Sequence, residues 1–107
     1  MIRHIVLFRA KHPDDVEAIR AGLDRLKEIP EAERLEVALN GRRDTWSSEI
    51  DIVVYGEFPD AAALEAYKSH PLYHDAIRRV RPLRDLRIAV DYEVPPDGSP
   101  ARPGGAG

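Results

Sequence analysis

The stretch from Glu49 to His74, EIDIVVYGEFPDAAALEAYKSHPLYH, constrains the fold more than any other part of the chain. Ile50, Ile52 and Val54 alternate with Asp51, Val53 and Tyr55, and a period of two built from β-branched and aromatic residues specifies a strand. Phe58-Pro59-Asp60 stops that strand, because proline brings no N–H to the ladder, and Asp60 is placed to cap a helix over Ala61–Ser69. His70-Pro71 closes the helix, since the residue before a proline is pushed out of the α region. Pro71 then sits in the first turn of a second helical piece that starts towards Leu72.

The other elements read as packing partners of this unit. Ile2–Arg9 is a strand with Ile2, His4, Val6 and Phe8 on one face and Arg3, Ile5, Leu7 and Arg9 on the other. Both faces are apolar at the centre, so both need cover. His12-Pro13-Asp14-Asp15 opens a helix whose stripe is Val16, Ile19, Leu23 and Leu26, and Pro30 ends it. Leu35, Val37 and Leu39 alternate in a second strand. Asn40-Gly41 is a hairpin signal, but no strand follows at once, so Arg42–Ser48 reads as a polar loop carrying Trp46. Leu72, Ala76, Ile77 and Val80 form the stripe of the piece after Pro71, which ends near Pro82. The last strand is about Leu86–Val94, with Ile88, Val90 and Tyr92 on one face. All five prolines before residue 95 fall at boundaries of this parse. Residues 95–107 hold four prolines and four glycines, too little apolar surface to offset ordering, so a disordered tail is expected after one domain over 1–94.

The order β-α-β-β-α-β, with right-handed crossovers, specifies an α+β fold: a ferredoxin-like antiparallel sheet with the helices on one face. The helix-free face then carries Ile5, Leu7, Val53, Tyr55, Ile88, Val90 and Tyr92, which is too apolar for water. A second copy packed sheet to sheet covers it, so the expected partner is the chain itself. A formal charge of −3 argues against a general nucleic-acid binder. No apolar run is long enough for a membrane span, and the N-terminus begins a strand rather than a signal peptide. With no cysteine, this points to a cytoplasmic protein.

Five segments in order resemble the stress-responsive A/B barrel (Dabb) family of the dimeric α+β barrel superfamily: RHIVLF, Ile29-Pro30, DIVVYGEF, Tyr67-x-x-His70-Pro71 and VDYEV. The resemblance covers residues 2–94. It implies a homodimer whose two sheets form a shared barrel. The functions it implies are broad, because some members are linked to stress responses and a plant member is a polyketide cyclase. In that cyclase a Tyr and a His in a pocket between sheet and helices carry an aldol-type ring closure. The Tyr matches Tyr67, the Asp that holds the catalytic His matches Asp91, and a His opening the first strand matches His4. The catalytic His position is Tyr73 in ungapped register, with His74 one place on, and a further pocket His matches Ile52. Two readings follow: a homodimeric small-molecule-binding module of unassigned activity, or a cyclase-like lyase or isomerase acting on a small carbonyl compound. Haem-dependent monooxygenation, as in superfamily relatives, needs an axial ligand that no residue here is assigned to, and no cofactor is expected.

Strand parity puts Val6, Phe8, Ile52 and Val54 under the helices, so these residues, with Tyr67 and Tyr73, are expected to line an apolar cavity with His4 and Asp91 towards one end. Tyr67 is either a packed aromatic or a hydrogen-bond donor to a substrate carbonyl or enolate. His4 and Asp91 share that face and are either a base and its orienting carboxylate, with His74 as a possible second base, or a structural pair at the sheet end. His70 and His74 stand at i, i+4, but Pro71 interrupts the helix and no carboxylate completes a shell, so no metal site is expected and His70 is read as bridging the helix break. Arg78, Arg79, Arg81, Arg84 and Arg87 form a basic cluster. It is either solvated surface favoured by a helix C-terminus or a device that steers an anion or pairs with the acidic first helix. Trp46 is read as a dimer contact rather than a lid.

Overall fold

Prolines and caps end the elements close to where the pattern puts them. The computed structural model describes residues 1–95. Its elements are β1 (Ile2–Ala10), α1 (Val16–Asp24), β2 (Arg34–Leu39), β3 (Ile52–Phe58), α2 (Ala61–Ser69), α3 (Pro71–Val80) and β4 (Arg84–Glu93). All of the expected tail except Pro95 lies outside the described residues. The strands form one antiparallel sheet in the order β2-β3-β1-β4, the ferredoxin-like arrangement.

The corner after β3 is built as its residues dictate. Asp60 accepts a hydrogen bond from the Ala63 N–H at 2.8 Å and starts α2. His70 leaves the helix in an extended conformation, and its Nδ1 accepts from the Leu72 N–H at 3.1 Å, so one side chain ends α2 and caps α3. Elsewhere the boundaries move slightly. Pro13–Asp15 forms a 3-10 turn ahead of α1, and Arg25–Glu28 forms another after it, before Ile29 turns extended. β4 begins at Arg84 rather than Leu86, because a register shift at Arg9/Ala10 keeps Ala10 paired with Arg84. The loop after β2 does carry Trp46, on a short 3-10 turn capped by Asp44, and its side chain is 91% exposed.

β1 lies between β3 and β4 and shows the alternation most clearly. Ile2, His4, Val6, Phe8 and Ala10 are buried, while the residues between them are half-buried on the opposite face. The buried row faces the helices and joins Ile52, Val54 and Phe58 of β3 with Ile19, Leu23, Leu26, Leu64, Tyr67 and Val80. The opposite row pairs Ile5 with Tyr55 and Val90, and Leu7 with Val53 and Ile88. No described helix is long and apolar enough to cross a membrane.

Gly56 sits in the buried row opposite His4. A Cβ there would lie 2.9 Å from Cε2 of Phe58 and 3.2 Å from Cδ1 of Leu35. The space a side chain would take is thus filled by the Phe58 ring, which is fully buried and has nowhere to retreat. Gly56→Ala should lower stability by roughly 1–3 kcal/mol through overpacking. Urea denaturation checks this. An unchanged midpoint would show that Phe58 has room to move.

Candidate functional site

Between the helix-covered face of the sheet and the helices lies a cavity of about 260 Å³. Its sheet side is His4, Val6 and Phe8 of β1 with Val54 of β3. Leu23 and Leu26 close it from the α1 end, Tyr67 from α2, and Tyr73, Ala76, Ile77 and Val80 from α3. Arg81, Arg84 and Arg87 complete the lining. Since Arg81 and Arg87 are exposed and Arg84 half-buried, these three mark the rim.

Among the described residues, His4 is the one buried charged or polar residue in the core, at 1% exposure. The register sets it directly opposite Asp91 on β4, and its Nδ1 hydrogen-bonds Asp91 Oδ1. A carboxylate accepts, so Nδ1 carries the proton of this bond and the neutral ring keeps its lone pair on Nε2. Asp91 stands behind the ring and outside the cavity lining, with its side chain partly in solvent.

Tyr67 is 1% exposed and packs against Phe58 at 4.9 Å and Tyr73 at 5.1 Å between ring centroids. Its ring lies 6.2 Å from that of His4, nearly perpendicular to it. Burial, helped by Tyr73, pushes the Tyr67 phenol far above its ordinary value, against the opposing pull of the Arg87 charge. Among the described residues no hydrogen bond reaches its hydroxyl. The group is therefore a firmly protonated donor without an acceptor among the described residues. The cavity thus brings together an oriented imidazole and a phenol donor on an apolar background.

Most of the residues expected at the site are here: His4, Val6, Phe8, Val54, Tyr67 and Tyr73 line the cavity, and Asp91 supports it from behind. Two are not. Ile52 is fully buried but outside the lining, next to Phe8 in the sheet. His74 is exposed and also outside it, because the inward stripe of α3 is Tyr73, Ala76, Ile77 and Val80, and His74 stands one residue off that stripe. His70 is committed to the α3 cap. The expectation missed Leu23, Leu26, Ile77 and Val80, whose helical spacing reads as core. In the structure the same stripes form the cavity roof.

The basic cluster divides in two. Asp75 takes Arg78 at 2.9 Å, Arg79 at 3.0 Å and, from the end of α1, Arg25 at 2.6 Å. Arg78 first, then the others, hold the Asp75 carboxyl below its ordinary value. Arg81, Arg84 and Arg87 have no carboxylate partner among the described residues.

The model of the stress responsive A/B barrel domain family matches residues 2–94. No curated protein matches the sequence. Among solved structures, a dimeric ferredoxin-like protein of unknown function from Thermobifida fusca is 28% identical with a TM-score of 0.73, over 87% of this chain and 90% of that one. A dabb family protein with a ferredoxin-like fold from Mesorhizobium loti is 26% identical with a TM-score of 0.71, over 88% and 95%. A putative antibiotic biosynthesis monooxygenase from Nitrosomonas europaea shares the fold, with a TM-score of 0.74 at 19% identity over 88% and 98%.

The unpartnered Tyr67 hydroxyl has a consequence for stability. Above the ordinary tyrosine pKa of about 10 the unfolded chain loses this proton while the folded chain keeps it, so stability falls as pH rises. Tyr67→Phe removes that dependence. Its stability should match the parent within about 0.5 kcal/mol at neutral pH, because no protein hydrogen bond is lost, and should exceed the parent increasingly above about pH 10. Denaturant titrations across that range test this. A neutral-pH loss above about 1 kcal/mol would show that the hydroxyl has a structural partner.

Proposed function

The chain belongs to the stress responsive A/B barrel domain family, and on that premise we propose that it is a homodimeric small-molecule-binding protein whose cavity takes a largely apolar carbonyl compound. We further propose that His4 moves a proton beside that carbonyl while Tyr67 holds its oxygen. The observation that carries this reading is the buried His4 on the cavity wall, held from behind by the partly exposed Asp91, beside a Tyr67 hydroxyl with no acceptor among the described residues.

The chemistry follows from the tautomer. With Nδ1–H donated to Asp91, Nε2 accepts a proton from the carbon next to a bound carbonyl, and Asp91 stabilises the imidazolium that forms. The electron pair moves to the carbonyl oxygen, where the Tyr67 hydroxyl donates to the developing enolate. Burial keeps the Tyr67 phenol protonated and so available as a donor. The sheet end has a closure of its own beside the His4–Asp91 pair. Met1 and Val94 provide it through backbone bonds, Val94 N–H to Met1 O at 2.8 Å and the terminal amine to Val94 O at 3.3 Å. In the plant cyclase of the family that the sequence resembles, the base is a helix histidine at the position of Tyr73. Here the sheet residue His4 takes over, held by the same Asp91 position. Proton transfer next to a carbonyl is common to lyases, isomerases and cyclases, which makes these the reaction classes in question.

The dimer rests on the other face. Ile88, Val90 and Tyr92 are exposed, Val90 by 54%, and they continue the row of Ile5, Leu7, Val53 and Tyr55. A second copy buries them sheet to sheet, as the dimeric state of the Thermobifida fusca relative supports. Trp46, on the loop between β2 and β3, extends that contact. The cysteine-free composition supports a cytoplasmic setting.

Sedimentation of Val53→Lys should show a monomer of lowered stability, since a lone charge in such an interface costs several kcal/mol. A parent chain that sediments as a monomer at high concentration would overturn the dimer. For the chemistry, cyclohexanone and octan-2-one incubated with the protein in deuterated water should gain deuterium at the carbons next to the carbonyl. His4→Ala should abolish this exchange, and Tyr67→Phe should slow it by about 10²-fold or more. Ketones that bind without exchanging would refute the proton transfer and leave a binding protein.

A further inference from the structure

Among the described residues, the cavity lining holds three arginines and a histidine but no carboxylate. This is unusual on a chain whose net charge is −3. The nearby acids are already engaged: Asp75 by Arg25, Arg78 and Arg79, Asp85 by Arg9, and Asp91 by His4. Arg81, Arg84 and Arg87 are left together at the rim. A helix C-terminus accounts for arginines at the end of α3, such as Arg78, Arg79 and Arg81. It does not account for Arg84 and Arg87, which belong to β4 and point to the helix-covered side of the sheet.

We propose that Arg81, Arg84 and Arg87 form the head-group subsite of the cavity, and that its ligand is an anionic amphiphile: an apolar body inside, and a carboxylate or phosphate at the rim. This rests on the reading of the cavity as a ligand site and adds the class of ligand. Guanidinium groups recognise such anions in bidentate fashion. Their setting makes the anion's absence costly, since burial and the charges of Arg87 and Arg81 all press the Arg84 guanidinium below its ordinary pKa. Arg87 also reaches towards the Tyr73 hydroxyl at 3.5 Å, which ties the rim to the aromatic wall beside Tyr67. At about 30 Å³ per water-sized group, the cavity of about 260 Å³ has room for a body of roughly nine heavy atoms. An anionic head at the rim then sets the depth at which a carbonyl further along that body meets His4 and Tyr67.

Calorimetric titration of the full-length protein with octanoate, octyl phosphate and octan-1-ol tests this, because the three share one chain and differ in the head. At least one anion should bind about tenfold or more tightly than the alcohol, as a charge-assisted hydrogen bond implies. The tighter of the two identifies the head group. Salt at about 0.5 M should weaken the anion and spare the alcohol. Arg84→Gln and Arg87→Gln should each lower anion affinity about tenfold, leaving the alcohol affinity and the oligomeric state unchanged. Alcohol binding as tight as the tighter anion, or arginine variants indistinguishable from the parent, would overturn the head-group subsite while leaving the cavity a ligand site. Failure of all three probes to bind would contradict both readings. An arginine variant that falls apart into monomers would reassign the cluster to the dimer contact.

Discussion

Because strand side chains alternate, the register of β1 between β3 and β4 decides what both faces of this sheet can do. His4 stands opposite Gly56 on one side and Asp91 on the other. A slip of one residue would turn His4 to the helix-free face and bring Arg3 and Ile5 under the helices. The observed register is enforced by burial, since Ile2, Val6, Phe8 and Ala10 all enter the core with His4. The same register assembles Ile5, Leu7, Val53 and Val90 on the far side. One alignment thus makes a cavity-lining histidine with its carboxylate partner behind it, and an apolar surface on the opposite face.

The inner face shows how a buried imidazole is tolerated. Asp91 satisfies Nδ1 from the edge strand, where its own charge keeps contact with water. This arrangement avoids burying a full ion pair, which is expensive unless every atom is satisfied. Phe58 occupies the space opened by Gly56 and contacts both His4 and Tyr67, at 6.2 Å and 4.9 Å between ring centroids. The aromatic wall therefore fixes the separation between imidazole and phenol.

Much of this was legible in the residues because it depends on local rules. Asp60 and His70 cap the helices their spacing predicts, and strand parity alone places His4 and Asp91 on one face. What was not legible depends on distances between elements. Whether Val80 or Leu23 is core or cavity wall is decided by how far α1 and α3 stand from the sheet, and their periodicity is the same in both cases. Ile52 has the parity of a lining residue, yet it is sealed from the cavity. The five clustered arginines look alike in sequence, and only the position of Asp75 separates the neutralised ones from those at the rim. His74 and Tyr73 differ by one residue, and the rotation of α3 on the sheet selects Tyr73.

The central claim is that Asp91 holds His4 in the tautomer that presents an unprotonated Nε2 to the cavity. Long-range proton–nitrogen correlation spectra of the imidazole, recorded on protein labelled with nitrogen-15 at a pH where the His4 ring is neutral, read this directly. The account predicts a protonated Nδ1 and a pyridine-like Nε2 for His4, with the preference lost in Asp91→Ala. A protonated Nε2 in the parent protein, or a tautomer that does not respond to Asp91→Ala, would contradict it.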